Sequence, residues 1–418
     1  MRGALQASNS HVFVIEKVEK VFDTQKRWKE TMMKNRYTVR LAATLALAAS
    51  ALLGATAWAQ AKSPLKIGAY LSVTGPASYL GEGAMKTVEM YVDMINAGGG
   101  IDGRKIELFR YDDESSPPRA NTLVKRMLDN DGVQVIIGGS TTGTTMSAVP
   151  LAERAGVPML SLAAGTVIID PLKKFVFKIP QTDAMVITRL YEHMRKRNLA
   201  NIGVIAGTDA YGRACLAAAQ EVAPQKGIKI VREESFNAKD TDMTAQLTNL
   251  RQTPGIQAIL NCGVGEPAII VTKNYRQLGI SLPHYGTHGL GSDTFVKLAG
   301  AAAEDMVIAN GALLVWDQLP ANNPQQGVVQ AYVKAYQAKY GEVPSTFAGY
   351  AHDAMLLIRE AVQRAGSVDA AKLRDAIEVS SSLGVTGPFR MGPTDHVGLT
   401  AASLRIVQVK DGRWKLLE

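Results

Sequence analysis

The stretch VQVIIGGSTTGTTMSAVPLAERAGVPMLSLAAG, Val133 to Gly165, decides the fold. Val133 to Ile137 reads as a buried strand, a Gly/Ser/Thr loop follows, Thr142 to Ala155 has helical spacing, and Pro158 to Ser161 is a second short strand. A run of β-branched apolar residues that stops at Gly138-Gly139, with hydroxyls just beyond, is how a parallel strand ends in an open α/β sheet. Ligands bind outside such carboxyl ends. The loop Gly139-Ser140-Thr141-Thr142-Gly143 is therefore the first candidate site. Its backbone N–H groups and the free amides of the helix start converge where the helix dipole favours negative charge, and Ser140, Thr141 and Thr142 add hydroxyl donors. A small carboxylate suits such a loop. The competing reading is that Thr141 or Thr142 caps its own helix.

Outward from this stretch the chain alternates strand and helix. Leu65 to Leu71 is a strand, Val73 to Ala77 a loop, and Gly83 to Asn96 places Ala84, Val88, Tyr91 or Val92, and Ile95 on one helical stripe. Gly98-Gly99-Gly100 stops that helix. Lys105 to Tyr111 is the next strand, and Asp112-Asp113-Glu114 with Pro117-Pro118 opens a helix to about Asp129. This is the βαβαβ succession of a doubly wound parallel sheet. Phe175 to Ile179 changes the rhythm, and a second series of the same kind begins. Its strands are Asn201 to Ala206, Ile228 to Glu233, Ile256 to Leu260 and His284 to Thr287, with helices between them. The remainder adds helices near 325–339, 346–365 and 369–378 and short strands at 385–389, 403–409 and 413–416.

The expected fold class is α/β, with two doubly wound parallel-sheet lobes joined by a hinge of several crossing segments. Residues 64–180 with a return segment near 310–350 form lobe 1; residues 181–309 with part of 350–418 form lobe 2. The helix through Phe347, Tyr350 and Met355 is read as crossing back to the first half, because two lobes need several connections to form a hinge.

With 418 residues and 46% apolar content the chain can bury a large core. The formal charge is +8, but residues 1–40 hold nine Lys/Arg against four Asp/Glu, so +5 of it lies there and about +3 elsewhere. No basic block or aromatic-basic interleaving accompanies it, which argues against nucleic-acid binding. The excess belongs to an export signal: a basic segment from Met33 to Arg40, an apolar small-residue run from Leu41 to Ala57, and Ala57-Trp58-Ala59 as an A-x-A cleavage site. Residues 1–59 are thus an upstream extension plus signal peptide, cleaved near Ala59, with Met32 or Met33 the expected true start. A retained membrane helix is the alternative, weakened by Thr44, Ser50, Gly54 and Thr56. The mature protein is expected in an exported compartment. Two cysteines, Cys215 and Cys262, exclude a disulfide scaffold, and free core thiols are the preferred reading over a pair.

Catalytic signatures fail: there is no H-E-x-x-H, G-x-S-x-G, C-x-x-C or G-x-x-x-x-G-K-[ST]. Gly81-Glu82-Gly83 lacks the third glycine of a dinucleotide fingerprint. Among six histidines only His284 and His288 are spaced i, i+4, across a strand-to-loop junction where that spacing does not share a face. No enzyme, no metal and no cofactor are expected.

Val73-Thr74-Gly75-Pro76 with Gly81, Ile95 to Gly103, Tyr111-Asp112-Asp113, Gly138 to Ala148, and Asp209-Ala210-Tyr211-Gly212 together resemble the periplasmic leucine/isoleucine/valine-binding protein family of ABC importers, over residues 64–410. The resemblance implies a periplasmic-binding-protein type I fold that closes about its hinge on a ligand. It also implies a monomer that delivers this ligand to a membrane permease with ATPase subunits. A ligand-sensing domain of a signalling system shares that fold and is the alternative role. Carried over by position, the family's hydroxyl ligand to the substrate carboxylate is Thr142, with Ser140 and Thr141 beside it. The backbone ligands after the next strand are Ala163, Ala164 and Gly165, the last replacing a threonine. Tyr211 matches the second-lobe tyrosine; Leu80 lies at an aromatic position, for which Tyr79 substitutes.

The departures bear on the ligand. Amino-acid binders carry an acidic residue where this chain has Thr287-His288-Gly289, and a second-lobe tyrosine is Val264 here. A buried ammonium without a carboxylate costs several kcal/mol. The resemblance with these departures favours an organic, aromatic or 2-oxo acid, with His288 hydrogen-bonding or pairing with a second acidic group. Branched-chain or other amino acids are the alternative, with Glu266 or Asp293 supplying the anion.

Overall fold

Strand β1 (Leu65–Leu71) pairs in parallel with β2 (Ile106–Asp112) on one side and β3 (Val135–Ile137) on the other. Strands β4 (Met159–Ser161) and β5 (Val176–Lys178) extend this sheet in the order β2-β1-β3-β4-β5, every pairing parallel. The computed structural model describes residues 32–33 and 62–418; the expected signal peptide, its cleavage near Ala59 and the upstream extension lie outside the described residues. Every position of β3, β4 and β5 is buried, the continuous pattern of strands covered on both faces. Helices α1 (Ser78–Ala97), α2 (Pro117–Arg126) and α3 (Thr142–Ala155) supply the cover. Helix α2 begins at Pro117-Pro118 with Ser116 accepting the Arg119 amide, and α3 ends at Gly156, whose φ of 65° suits glycine.

Chain order reverses between β1 and β3. The loops leaving those two neighbouring strands run to opposite sides and leave a crevice at their carboxyl ends.

The second sheet repeats the scheme with β6 (Asn201–Gly207), β7 (Lys229–Phe236), β8 (Ala258–Cys262), β9 (His284–Gly286) and β10 (Val307–Asn310). Its order from the β7 edge is β7-β6-β8-β9-β10, the same winding as the first, all parallel. Strands β13 (Arg405–Lys410) and β14 (Arg413–Leu416) complete it antiparallel. Its helices are α4 (Asp183–Lys196), α5 (Ala210–Gln225), α6 (Thr244–Gln252), α7 (Gly265–Gln277) and α8 (Asp293–Ala299), and beyond β10 comes α9 (Gln326–Tyr340). The chain thus has the expected two doubly wound lobes. Among the described residues no helix is long and apolar enough to cross a membrane.

Helix α10 (Thr346–Ala365) returns to the first lobe: Phe347, Tyr350, Ala351, Ala354 and Met355 join Leu65, Ile67 and Leu80 in one core, together with Leu373 of α11 (Ala370–Glu378). The return therefore spans about 346–399 and not 310–350. Residues 307–310 are held in the second sheet as β10, and α9 packs Val329, Tyr332 and Tyr336 against second-lobe residues such as Phe295 and Ile308. The chain crosses between lobes after β5, between β10 and α10, and between α11 and β13. Gln181 ties the first crossing to the third, its Nε2 donating to the Thr386 carbonyl and the Ser403 hydroxyl, both at 3.0 Å.

Two further expectations are corrected. The strand expected at 385–389 is replaced by a hairpin of β11 (Ser381–Leu383) and β12 (Pro388–Arg390), because the Asp353 carboxylate takes the amides of Val385 and Thr386 at 2.9 and 2.8 Å and removes them from any ladder. Cys215 and Cys262 are paired and not free. Helix α5 lies across the carboxyl end of β8 and brings their Cα atoms to 5.7 Å, inside disulfide range.

Candidate functional site

The loops after β1, β3 and β4 face those after β6, β8 and β9 across a closed cleft. Within it lies a small cavity of about 30 Å³. That volume admits roughly one or two waters, so a solute enters only when the lobes part. Eight of the residues singled out from the sequence line it: Leu80, Ser140, Thr141, Thr142 and Ala164 from the first lobe, and Tyr211, Val264 and His288 from the second.

The hydroxyls at the start of α3 are oriented by backbone amides. Ser140 Oγ accepts from the Ser72 amide at 3.0 Å, and Ser72 is itself fixed by donating to buried Asp113 at 2.7 Å. Thr142 Oγ1 accepts from the Gly165 amide at 3.2 Å. Each oxygen thus receives a proton from the protein and keeps its own hydrogen for an acceptor in the cleft. Thr141 has the other role: it forms a reciprocal capping box with Thr144, accepting the Thr144 amide at 3.1 Å. The amides of Thr142 and Gly143, beyond reach of any intrahelical carbonyl, remain available. The arrangement presents two hydroxyl and two amide donors, a set chemically suited to an anion.

Gly138 and Gly165 make this close packing possible. Gly138 has a φ of 145°, and a Cβ there would stand 2.3 Å from the Tyr70 carbonyl. A Cβ at Gly165 would meet Thr142 Cγ2 at 2.5 Å, so the family threonine at this position is incompatible with the Thr142 placement seen.

On the second lobe, Asp209 caps α5 through the Gly212 amide at 2.8 Å and so sets Tyr211, whose hydroxyl lies 2.5 Å from Thr287 Oγ1. His288 is 1% exposed and neither ring nitrogen has a hydrogen-bond partner. Burial first, and then the charge of Lys178, lower its pKa to about 3, so the imidazole is neutral near pH 7. A neutral His288 can hydrogen-bond a ligand but cannot pair with a second acidic group as a cation.

Five singled-out residues stand elsewhere. The Tyr79 hydroxyl donates to the Gly289 carbonyl and accepts from the Gly265 amide, both at 2.9 Å, which makes it a link between the lobes and keeps it from the cavity. Glu266 is exposed in the second position of α7; its amide donates to the Pro76 carbonyl at 3.2 Å and its side chain lines an outer groove. Asp293 borders a separate outer groove. Ala163 is buried in the first-lobe core, its amide on Ser161 Oγ at 3.1 Å, and the Gly165 amide is taken by Thr142.

Leu162, Pro180, Gly289, Phe347 and Tyr350 also line the cavity and were not singled out. Phe347 and Tyr350 carried a signal, because a helix that crosses back between lobes passes the cleft. Lys178 in the apolar run Phe175 to Ile179 carried another, since a lysine amid buried residues needs partners. Lys178 is 0% exposed, and its Nζ donates to the Pro180 and Gln181 carbonyls at 2.6 and 2.7 Å. Among the described residues no cluster of three His, Cys, Asp or Glu side chains is arranged to hold a metal ion.

The sequence profile of the periplasmic binding protein family matches residues 64–413. The leucine-, isoleucine-, valine-, threonine-, and alanine-binding protein of Pseudomonas aeruginosa is 25% identical over 342 residues, covering 81% of this chain and 89% of that protein. Among solved structures, an extracellular ligand-binding receptor from Rhodopseudomonas palustris HaA2 matches with a TM-score of 0.79 at 28% identity, over 85% of this chain and 99% of that one. The branched-chain amino acid transporter substrate binding protein of Streptococcus pneumoniae, solved in complex with isoleucine, matches with a TM-score of 0.75 at 25% identity, over 85% and 99%. With two doubly wound lobes closed on a cleft and a family match over nearly all of the described residues, the chain belongs to the periplasmic binding proteins, in the type I fold of ABC-importer substrate-binding proteins.

Proposed function

We propose that the protein is exported with cleavage near Ala59 and serves as the substrate-binding component of an ABC importer, capturing a small amino acid of the branched-chain class. The carrying observation is the pair of hydroxyls, Ser140 and Thr142, held by backbone amides with their hydrogens free at the start of α3. They would take the ligand carboxylate, while Leu80, Val264 and Phe347 supply apolar walls for its side chain. Residues 63–178 with 346–399 act as one lobe and the rest as the other, turning about the three crossings and closing over the ligand. The closed form, a monomer, presents the solute to a permease driven by ATPase subunits; nothing is turned over.

An acid without an amine is the second reading. What favours it is that no carboxylate lines the cavity and that neutral His288 stands where amino-acid binders carry an anion. A thermal-shift screen of the mature protein against the amino acids, their deaminated analogues and aromatic acids tests both, because a ligand raises the melting temperature by mass action. Stabilisation by amino acids supports the main reading. Stabilisation by the amine-less acids alone supports the second, and conversion of any of them to product would end the transport reading.

A further inference from the structure

The crossing from β5 to α4 carries a second buried ionisable group just behind the cavity wall, three residues beyond cavity-lining Pro180. Asp183 is 1% exposed, and among the described residues no side chain hydrogen-bonds its carboxylate oxygens, towards which the Thr166 backbone is directed. It does not cap its own helix: Thr182 does that, accepting the Met185 amide at 3.2 Å. Lys178 does not satisfy it either, since that ammonium donates to two backbone carbonyls. The carboxylate lies where the lobes meet. The backbone of Thr166, one residue past Gly165, approaches it from the first lobe, and its charge reaches the Tyr211 hydroxyl in the second. Two residues that line the cavity also have polar atoms without a partner, His288 at its ring nitrogens and Tyr350 at its hydroxyl. Buried polar groups in native proteins are almost always hydrogen-bonded, so polar atoms left without side-chain partners at and behind the cavity wall are suited to contacts with a bound solute.

We propose that Asp183 receives the ammonium group of an amino-acid ligand whose carboxylate is held by Ser140 and Thr142, and that it is thereby the specificity-determining residue for amines. The inference rests on the amino-acid reading above. Charge balance supports it. Lys178 and Asp183 together leave the wall of the cleft neutral, and a zwitterion preserves that neutrality. An acid without an amine adds an unbalanced negative charge, which neutral His288 does not offset.

Calorimetry with L-leucine and with 4-methylpentanoate, the same skeleton lacking the amine, tests the assignment. Wild type is expected to prefer leucine strongly. Asp183→Asn is expected to lose leucine affinity by about 30-fold or more, the low end for removing one partner of a buried charge pair, while its affinity for 4-methylpentanoate holds or rises. Thr142→Ala is expected to weaken both ligands alike. If Asp183→Asn binds leucine within about threefold of wild type while Thr142→Ala does not, Asp183 is not the ammonium site and the amino-acid reading survives. If wild type binds neither leucine nor any other amino acid, that reading falls and takes the proposal with it. Should Asp183→Asn fail to fold, a crystal of wild type with leucine decides: nitrogen on the Asp183 carboxylate supports the proposal, and nitrogen held only by other groups overturns it.

Discussion

Replacing Tyr79 by phenylalanine removes one oxygen that bridges the closed cleft. The ring stays packed on Phe347, with centroids 5.6 Å apart. What is lost are two hydrogen bonds to second-lobe backbone, to the Gly289 carbonyl and from the Gly265 amide. Both exist only while the lobes are closed, so the variant destabilises the closed form relative to the open one and leaves the ligand contacts intact. At about 0.5–1.5 kcal/mol for each neutral hydrogen bond, the closed state loses about 1–3 kcal/mol. A ligand that binds by closure then loses affinity by roughly 5- to 150-fold. Calorimetry gives the affinity, small-angle scattering with saturating ligand gives the closure, and stopped-flow fluorescence assigns the loss to faster release. A Tyr79→Phe protein that binds its ligand within about twofold of wild type and releases it no faster would refute the latch.

Three more outcomes are expected. Gly165→Ala keeps a compatible backbone, with φ at −56°, but its Cβ crowds Thr142, so affinity falls by about 1–3 kcal/mol while the circular dichroism spectrum is unchanged; unchanged calorimetric affinity would remove Thr142 from the site. Reducing the Cys215–Cys262 pair, 47 residues apart in the chain, releases about 4 kcal/mol of loop-closure entropy to the unfolded state and lowers the urea midpoint; a midpoint indifferent to reductant would show that the bridge does not form. Burial lowers both His284 and His288 to about 3, below the unfolded value, so the unfolded state binds more protons in acid and stability falls as pH drops from about 6.5 towards 3. The loss is about 2 kcal/mol per histidine by pH 5. His284→Asn should make the decline shallower in urea titrations, and an unchanged slope would contradict the assignment.

The two-lobed fold was legible because its strands advertise themselves. Leu65 to Leu71 is apolar but for Lys66 and Val135 to Ile137 is wholly apolar, and α3 and α10 were bounded correctly from their flanking hydroxyls and glycines. Strand β10, Val307–Asn310, was missed because four residues carry no period and nothing in the sequence tells a buried strand of that length from a loop. The hairpin at 381–390 was displaced by a long-range cause, the Asp353 carboxylate on α10, and the disulfide by another, the lie of α5 across β8. Neither partner is near in sequence, so local pattern had no access to them.

The site divides the same way. Ser140 and Thr142 were found because a strand end and a helix start adjoin in the chain, and their orientation follows from local backbone. Ammonium recognition was sought after β9, where the family carries its anion, and His288 there argued for a ligand without an amine. The other anions weighed there, Glu266 and Asp293, border outer grooves. A cleft between lobes is walled as well by the segments that connect them, and the connection after β5 ends in Asp183, buried where its charge acts on the Tyr211 hydroxyl and without a side-chain hydrogen-bond partner. Its sequence context, a polar residue opening a helix after Pro180-Gln181-Thr182, is that of an ordinary cap. What distinguishes it is a buried carboxylate that no side chain hydrogen-bonds, while Thr182 already performs the capping. Specificity in such a protein is therefore better sought among buried polar groups that the closed fold leaves unpaired than among positions aligned with relatives.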